Sequence, residues 1–205
     1  LERGKAQGQA LLLVGPTNKG KSLLSNRVIS ALVGGFADAS DYLSGQTKFN
    51  KDLARVAAWV IDDTTSAASF QDQRRATELV KKCVANPRIE YHAKYVDAVS
   101  VPWTGRVIFS LNMDANSLSV IPSLDSSNRD KLMALRVSNK ATSEFPSNTV
   151  VEETIEKELP HLARFLLDWE APSEVKGGSR FGVVSYIDKT IASAAYDNSS
   201  RSTVA

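Results

Sequence analysis

The run GPTNKGKS at Gly15–Ser22 constrains this chain more than any other feature, because it satisfies G-x-x-x-x-G-K-[ST] and directly follows an apolar run, Ala10-Leu11-Leu12-Leu13-Val14. The ten residues that follow, Leu23 to Leu32, repeat apolar side chains at helical spacing, so the pattern predicts strand, glycine loop and helix in succession. A loop of this kind turns backbone N–H groups inward around a phosphate, at a helix N-terminus whose dipole favours anions. Gly15, Pro16, Thr17, Asn18, Lys19, Gly20, Lys21, Ser22 and Leu23 are therefore the expected contacts to the phosphates of a nucleotide. Lys21 is placed to reach the β and γ oxygens, and the Ser22 hydroxyl to ligate Mg²⁺.

Two further apolar runs end in polar residues suited to the same chemistry. Val56 to Ile61 leads into Asp62-Asp63, and Arg106 to Leu111 leads into Asn112. In a parallel sheet such strand ends gather on one edge, where ligands bind. One carboxylate, Asp62, is expected on the metal and its neighbour Asp63 on the attacking water, because adjacent side chains on an extended chain point apart. The Asn112 amide can hydrogen-bond both that water and a phosphate oxygen. Between these strands, Gln71 to Val84 reads as an amphipathic helix with Ala76, Leu79, Val80 and Cys83 on one face. Arg88 to Trp103 alternates at period two and reads as a β-hairpin carrying Arg88, His92, Lys94 and Tyr95, cationic and aromatic groups suited to phosphates and bases. Past Asn112, Arg129 can stabilise charge on a neighbouring subunit's γ-phosphate, with Lys131 and Arg136 competing for that role. Asn112 also suits a plain turn, and Arg129 a solvated surface charge.

Composition narrows the class. Among 205 residues, 25 Lys+Arg stand against 23 Asp+Glu, so no overall basic character announces a nucleic-acid partner and any such contact must be local. The single cysteine, Cys83, excludes an internal disulfide framework and reads as a buried thiol in a reducing, cytoplasmic setting. No apolar run reaches membrane-spanning length and the N-terminus lacks a signal-peptide core, so no membrane partner is expected. The chain lacks an initiating Met and reads as a piece of a longer polypeptide. Beyond Val137 a polar linker, Ser138 to Ser143, precedes a helical segment from about 150 to 167, which Pro160 should break or kink, and a last helical stretch from about 181 to 196. The expected organisation is a core, 1–138, followed by a helical C-terminal lid, 139–205.

The order GPTNKGKS, Val60-Ile61-Asp62-Asp63, a hairpin with Lys94-Tyr95, and Ile108-Phe109-Ser110-Leu111-Asn112 resembles the superfamily 3 helicases, AAA+ ATPases of viruses, phages and plasmids. The strings Asp41-Tyr42-Leu43, Phe49-Asn50, Asn128 to Leu132, Glu158-Leu159-Pro160 and Arg180-Phe181-Gly182 resemble the phage-type primase-helicases among them. The resemblance implies an α/β P-loop NTPase of AAA+ type: a central parallel sheet flanked by helices, a β-hairpin insertion and a small helical lid. It implies a replicative DNA helicase core that hydrolyses ATP with Mg²⁺ at subunit interfaces of a hexameric-type ring. Within that ring Lys94, with Tyr95 and His92, would hold single-stranded DNA and Arg129 would act in trans. It also implies an upstream primase-polymerase domain and a phage or mobile-element protein acting in the host cytoplasm. Asp63 stands where many AAA+ relatives use Glu. Two rivals stay open. One is a small-molecule P-loop kinase, for which Arg164 and Arg180 are the lid arginines; the other is a nucleotide-switched loader whose hairpin binds protein.

Overall fold

The computed structural model describes residues 8–62, 70–140, 146–178 and 180–202. Its centre is a six-stranded sheet of β1 (Ala10–Val14), β2 (Phe36–Asp38), β3 (Ala58–Asp62), β6 (Arg106–Leu111), β7 (Leu132–Arg136) and β8 (Tyr186–Ile187). The strand order is β2-β3-β6-β1-β7-β8, and every neighbouring pair is parallel. The three central strands, β3, β6 and β1, are the three apolar runs read from the sequence. Both faces of a parallel sheet are covered, so its inner strands are continuous apolar runs rather than alternating ones.

Alternate residues serve the two faces. Leu12, Val14, Trp59, Ile61, Phe109 and Leu111 point into the main core, which α4 (Phe70–Ala85) and α7 (Lys189–Ser202) close with Ala76, Val80, Cys83, Ile191 and Ala195. Leu13, Ala58, Val60 and Ile108 line the opposite face, against which Ile29 and Val137 pack. Ile29 belongs to the helix that follows the glycine loop. That helix begins as α1 (Lys21–Leu23), widens into a π-helical segment, Leu24–Ile29, and ends as α2 (Ser30–Val33), with Gly34 left-handed at its C-cap.

Several elements differ from the sequence expectation. Residues 36–44, which no apolar period marks, hold the short edge strand β2 and α3 (Ser40–Ser44). Leu132–Arg136, to which the sequence reading assigned no element, is β7, a strand despite its helix-forming residues because Met133, Ala134 and Leu135 pair with Leu11, Leu12 and Leu13 of β1. Tertiary pairing overrides local propensity there. Pro160 does not end its helix: α6 (Asn148–Asp168) runs through it. No residue of α6 is fully buried, so the carbonyl that Pro160 leaves without an intrahelical donor lies where solvent can reach it. The stretch 181–196 divides into β8, which joins β7, and α7, whose Ile191 is fully buried. Within 139–205, then, the long helix α6 lies outside the core while β8 and α7 complete it.

The expected hairpin is present as β4 (Arg88–Tyr91) and β5 (Val99–Pro102), paired Arg88↔Pro102 to Tyr91↔Val99. Its base closes where Trp103 N–H donates to the Pro87 carbonyl (2.8 Å). Trp103 Nε1–H donates to the Cys83 carbonyl (2.8 Å), and its ring packs on Trp59 at 4.7 Å. Three residues later the chain enters β6, so the hairpin emerges at the amino ends of the sheet, opposite the glycine loop.

Candidate functional site

The carboxyl ends of β1, β3 and β6 converge on one cleft of about 280 Å³, bounded by residues 17–23 of the loop and helix start, with Asp62, Ser110 and Asn112. The loop leaves β1 under two local constraints. Gly15 N–H donates to the Leu111 carbonyl (3.1 Å) and Val137 N–H to that of Val14 (2.8 Å), which pins the loop's first residue between two strands. Asn18 (φ 56°) and Gly20 (φ 79°) then adopt left-handed conformations that reverse the chain into α1.

Lys21 directly follows that reversal and is buried, at 7% relative exposure. Its ammonium donates to the carbonyls of Gly15 (3.0 Å) and Pro16 (2.7 Å) and to Asn112 Oδ1 (3.0 Å). The cation is thus held inside its own loop and tied to the end of β6, 91 positions away. Ser22 Oγ donates to Asp62 Oδ1 at 3.0 Å, joining the helix start to the end of β3. A hydroxyl and a carboxylate oxygen side by side are a hard-oxygen pair, which suits Mg²⁺ held jointly with phosphate oxygens and water. The described residues contain no cluster of three or more His, Cys, Asp or Glu able to cage a metal alone, and a shared ion of this kind needs none.

The structure therefore brings Lys21, Ser22, Asp62 and Asn112 together with the loop residues 15–20. Asp63 lies outside the described residues. Sequence reading missed Ser110: it pairs in register with Asp62 on one side and Leu13 on the other, its buried hydroxyl has no hydrogen-bond partner among the described residues, and it lines the cleft. A polar residue two before Asn112 on the same strand shares its face, and that period-two relation was the available signal.

The three cationic candidates before and within β7 separate cleanly. Lys131 is engaged locally, donating to the Ser127 carbonyl and to Asp130 Oδ1 (2.9 Å). Arg136 ends β7 opposite Val14, beside the loop of its own chain, and pairs with Asp188 at 3.7 Å. Arg129 is exposed: its backbone N–H donates to the Asp125 carbonyl (3.0 Å), its guanidinium makes no hydrogen bond or ion pair among the described residues, and it sits three residues before Leu132, whose partner is Ala10. It lies at the amino end of the sheet, the whole length of β1 away from its own cleft.

At that same end stands the hairpin tip. Tyr95 is fully exposed in a left-handed conformation (φ 63°), and Lys94 Nζ lies 5.8 Å from the centre of the Phe49 ring, which also meets His92 edge-on at 5.2 Å. Arg88 is not free for a ligand: its guanidinium spans to Ser100 Oγ (2.9 Å) and the Ser100 carbonyl (2.6 Å) across the hairpin. Of the two arginines expected in a kinase lid, Arg164 pairs with Asp168 at 2.8 Å and Arg180 with Asp130 at 3.5 Å, and neither lines the cleft. No described helix is long and apolar enough to cross a membrane.

Residues 13–129 match a family model described as a family of unknown function, DUF5906. No functionally curated protein matches significantly. Among solved structures, the apo NrS-1 C-terminal region (305-718) superposes with a TM-score of 0.67 at 12% identity, covering 96% of this chain and 43% of that one. A second apo form of the same region gives 0.65 at 13% identity, with the same coverage. At that identity the likeness is one of fold, and this chain spans under half of the length of the structures it resembles.

Proposed function

The chain belongs to the DUF5906 family, and we propose that within it this chain is the ATPase core of a replicative helicase of the superfamily 3 type, acting on single-stranded DNA. The observation that carries the reading is the convergence of three separate sequence features on one cleft: Ser22 on Asp62 at 3.0 Å and Lys21 on Asn112 at 3.0 Å. A turn that merely happened to contain Gly, Lys and Ser would have no reason to collect a strand-end Asp 40 residues away and a strand-end Asn 91 residues away.

In this reading the loop amides and the helix start bind the ATP phosphates, and the Lys21 ammonium leaves the Gly15 and Pro16 carbonyls for β and γ oxygens. Mg²⁺, when bound, neutralises charge on the phosphates during transfer. Ser22 and Asp62 would hold it. Asn112, released from Lys21, orients the attacking water together with Asp63, which accepts its proton as the oxygen bonds to the γ-phosphorus and ADP departs. Arg129 serves the neighbouring copy in a ring. Lys94, His92 and Tyr95 face the DNA, and the division into core and C-terminal lid, the upstream primase-polymerase and the phage or mobile-element setting belong to the same proposal.

The test is hydrolysis. Lys21→Ala should abolish turnover and weaken nucleotide binding, whereas Asp62→Asn should lose turnover together with Mg²⁺ dependence of nucleotide binding. Thermal unfolding should show both variants folded. Normal turnover in folded Lys21→Ala would end the nucleotide-site reading. ATP consumption coupled to a small acceptor would favour the kinase, and DNA-independent hydrolysis with a protein-bound hairpin the loader.

A further inference from the structure

A two-stranded hairpin is marginal on its own in water, and β4 and β5 form a sheet separate from the six-stranded one. β5 satisfies one edge of β4; the other edge would present bare peptide groups. Asn50 covers it. Its backbone N–H donates to the His92 carbonyl (3.0 Å), its Nδ2 donates to the Glu90 carbonyl (2.6 Å), and its Oδ1 accepts from the His92 N–H (2.7 Å). Glu90 and His92 are two apart, so these groups all point to one side of the strand. The side-chain amide of Asn50 thus acts as a peptide group of a third strand, one residue long. Asn50 is itself 2% exposed, so its end of the three bonds is shielded from water. Its neighbour Phe49 supplies the ring beneath His92 and Lys94.

We propose that Asn50 is the positioning residue that fixes the hairpin tip to the core, with Phe49 as the platform that orients the His92 and Lys94 side chains toward single-stranded DNA. The partner in this inference rests on the proposed function; the clamp does not. The segment carrying both residues continues into the 3-10 turn Leu53–Arg55, whose Leu53 carbonyl accepts from Trp59 Nε1–H (2.7 Å). Trp59 lies on β3, the strand that ends in Asp62. Hairpin and cleft are therefore anchored to a common strand, and loosening Asn50 frees the first without touching the second. No other residue type does the same work: the arrangement needs one donor and one acceptor on a single short planar group.

The experiment compares wild type, Asn50→Ala and Phe49→Leu in the same chain. Amide hydrogen exchange is read over residues 88–102, and ATP turnover is measured with and without a single-stranded oligonucleotide. Asn50→Ala should raise exchange in the hairpin but not in β1 or α4, and leave basal kcat and the KM for ATP within about twofold. It should raise the DNA concentration for half-maximal stimulation about tenfold, the scale expected from losing buried hydrogen bonds. Phe49→Leu should leave exchange near wild type and raise only the DNA requirement. If Asn50→Ala fails to fold, Asn50→Asp decides: it keeps the acceptor for His92 N–H, loses the donor to Glu90, and should still raise hairpin exchange. Wild-type exchange in the hairpin of a folded Asn50 variant overturns the clamp. A wild type that hydrolyses ATP without any DNA stimulation would instead refute the partner and the helicase reading, while the exchange data would still decide the clamp.

Discussion

Gly15 and Gly20 frame the loop and are glycine for different reasons. A Cβ at Gly15 would stand 2.7 Å from both the Cβ and the carbonyl oxygen of Val137, so the constraint is the close approach of β7's exit to the loop. A Cβ at Gly20 would meet nothing within 4 Å, but the residue is left-handed, which costs any other side chain roughly 1 kcal/mol. Gly15→Ala should therefore destabilise by about 1–3 kcal/mol through overpacking, and more than Gly20→Ala, as measured by urea unfolding with unchanged slope. The motif makes both glycines visible in the sequence; only the structure separates backbone conformation from packing. A second residue-scale effect lies just beyond Asn112. Asp114 caps α5 (Ala115–Leu118), accepting from Ser117 N–H (3.0 Å) and Ser117 Oγ (2.7 Å), and these bonds hold its carboxyl below the ordinary range. A depressed folded value means the stabilisation is fully present above the unfolded carboxyl value of about 3.9 and is lost as pH falls through the folded one. Asp114→Ala should cost about 1 kcal/mol at pH 7, and the gap to wild type should narrow in thermal melts as the pH is lowered past the ordinary carboxyl value. Cys83 behaves oppositely: burial pushes its thiol up to about 12, so it stays protonated and packs as an apolar group in the core, as the single cysteine suggested.

At the scale of elements, legibility followed burial and length. The three central strands were readable as unbroken apolar runs ending in polar residues, and the helix at 70–85 and the hairpin were readable by their periods. β2 and β8 have three and two residues, too few for any period. β7 was unreadable for another reason: Leu-Met-Ala-Leu-Arg suits a helix locally, and only the free edge of β1 turns it into a strand. The π-helical widening of Leu24–Ile29 likewise left no trace in apolar spacing. Of the residues that line the cleft, the loop, Asp62 and Asn112 were legible from a loop motif and two strand ends, whereas Ser110 was not, because its place depends on register. The hairpin was legible as an element, but its hold on the core was not, because Asn50 is 40 residues away from its Glu90 partner. One consequence belongs to the hairpin as a whole. Lys94 lies at its tip over Phe49 and does not line the cleft, so the DNA contact proposed for it would leave the proposed hydrolysis untouched. Lys94→Ala should keep basal ATP turnover and lose most stimulation by single-stranded DNA. In binding titrations its log–log salt dependence should be shallower by about one contact per subunit. Equal affinity and slope in variant and wild type would instead favour a hairpin that binds protein.

For the whole molecule, the parallel sheet creates two ends with separate duties. Its carboxyl end gathers Lys21, Ser22, Asp62 and Asn112, and its amino end carries the hairpin tip and Arg129. Arg129 cannot reach its own cleft across the length of β1, whereas its guanidinium is exposed and unengaged among the described residues, and the residue follows a loop that Asp125 holds rigid. The Asp125 carboxylate accepts from Ser123 Oγ (2.8 Å), Ser127 N–H (2.8 Å) and Ser127 Oγ (2.6 Å), bonds that keep it ionised well into the acid range. In the proposed ring, a guanidinium that stands at the wrong end for its own cleft suits the cleft of the next copy, as head-to-tail packing requires. A trans-acting arginine is worth roughly three orders of magnitude or more in turnover, so hydrolysis should depend on assembly. Arg129→Ala should bind ATP normally and be inactive, while Arg136→Ala, beside its own loop and paired with Asp188, should affect nucleotide affinity within one chain. Mixing Arg129→Ala with Lys21→Ala should restore some turnover, because a mixed interface can join an intact loop to an intact arginine. The decisive measurement is wild-type turnover per chain against protein concentration, with the association state followed in parallel by sedimentation. The rate should fall steeply as assemblies dissociate. A rate that stays high and flat where the protein is demonstrably monomeric would remove both the trans arginine and the ring.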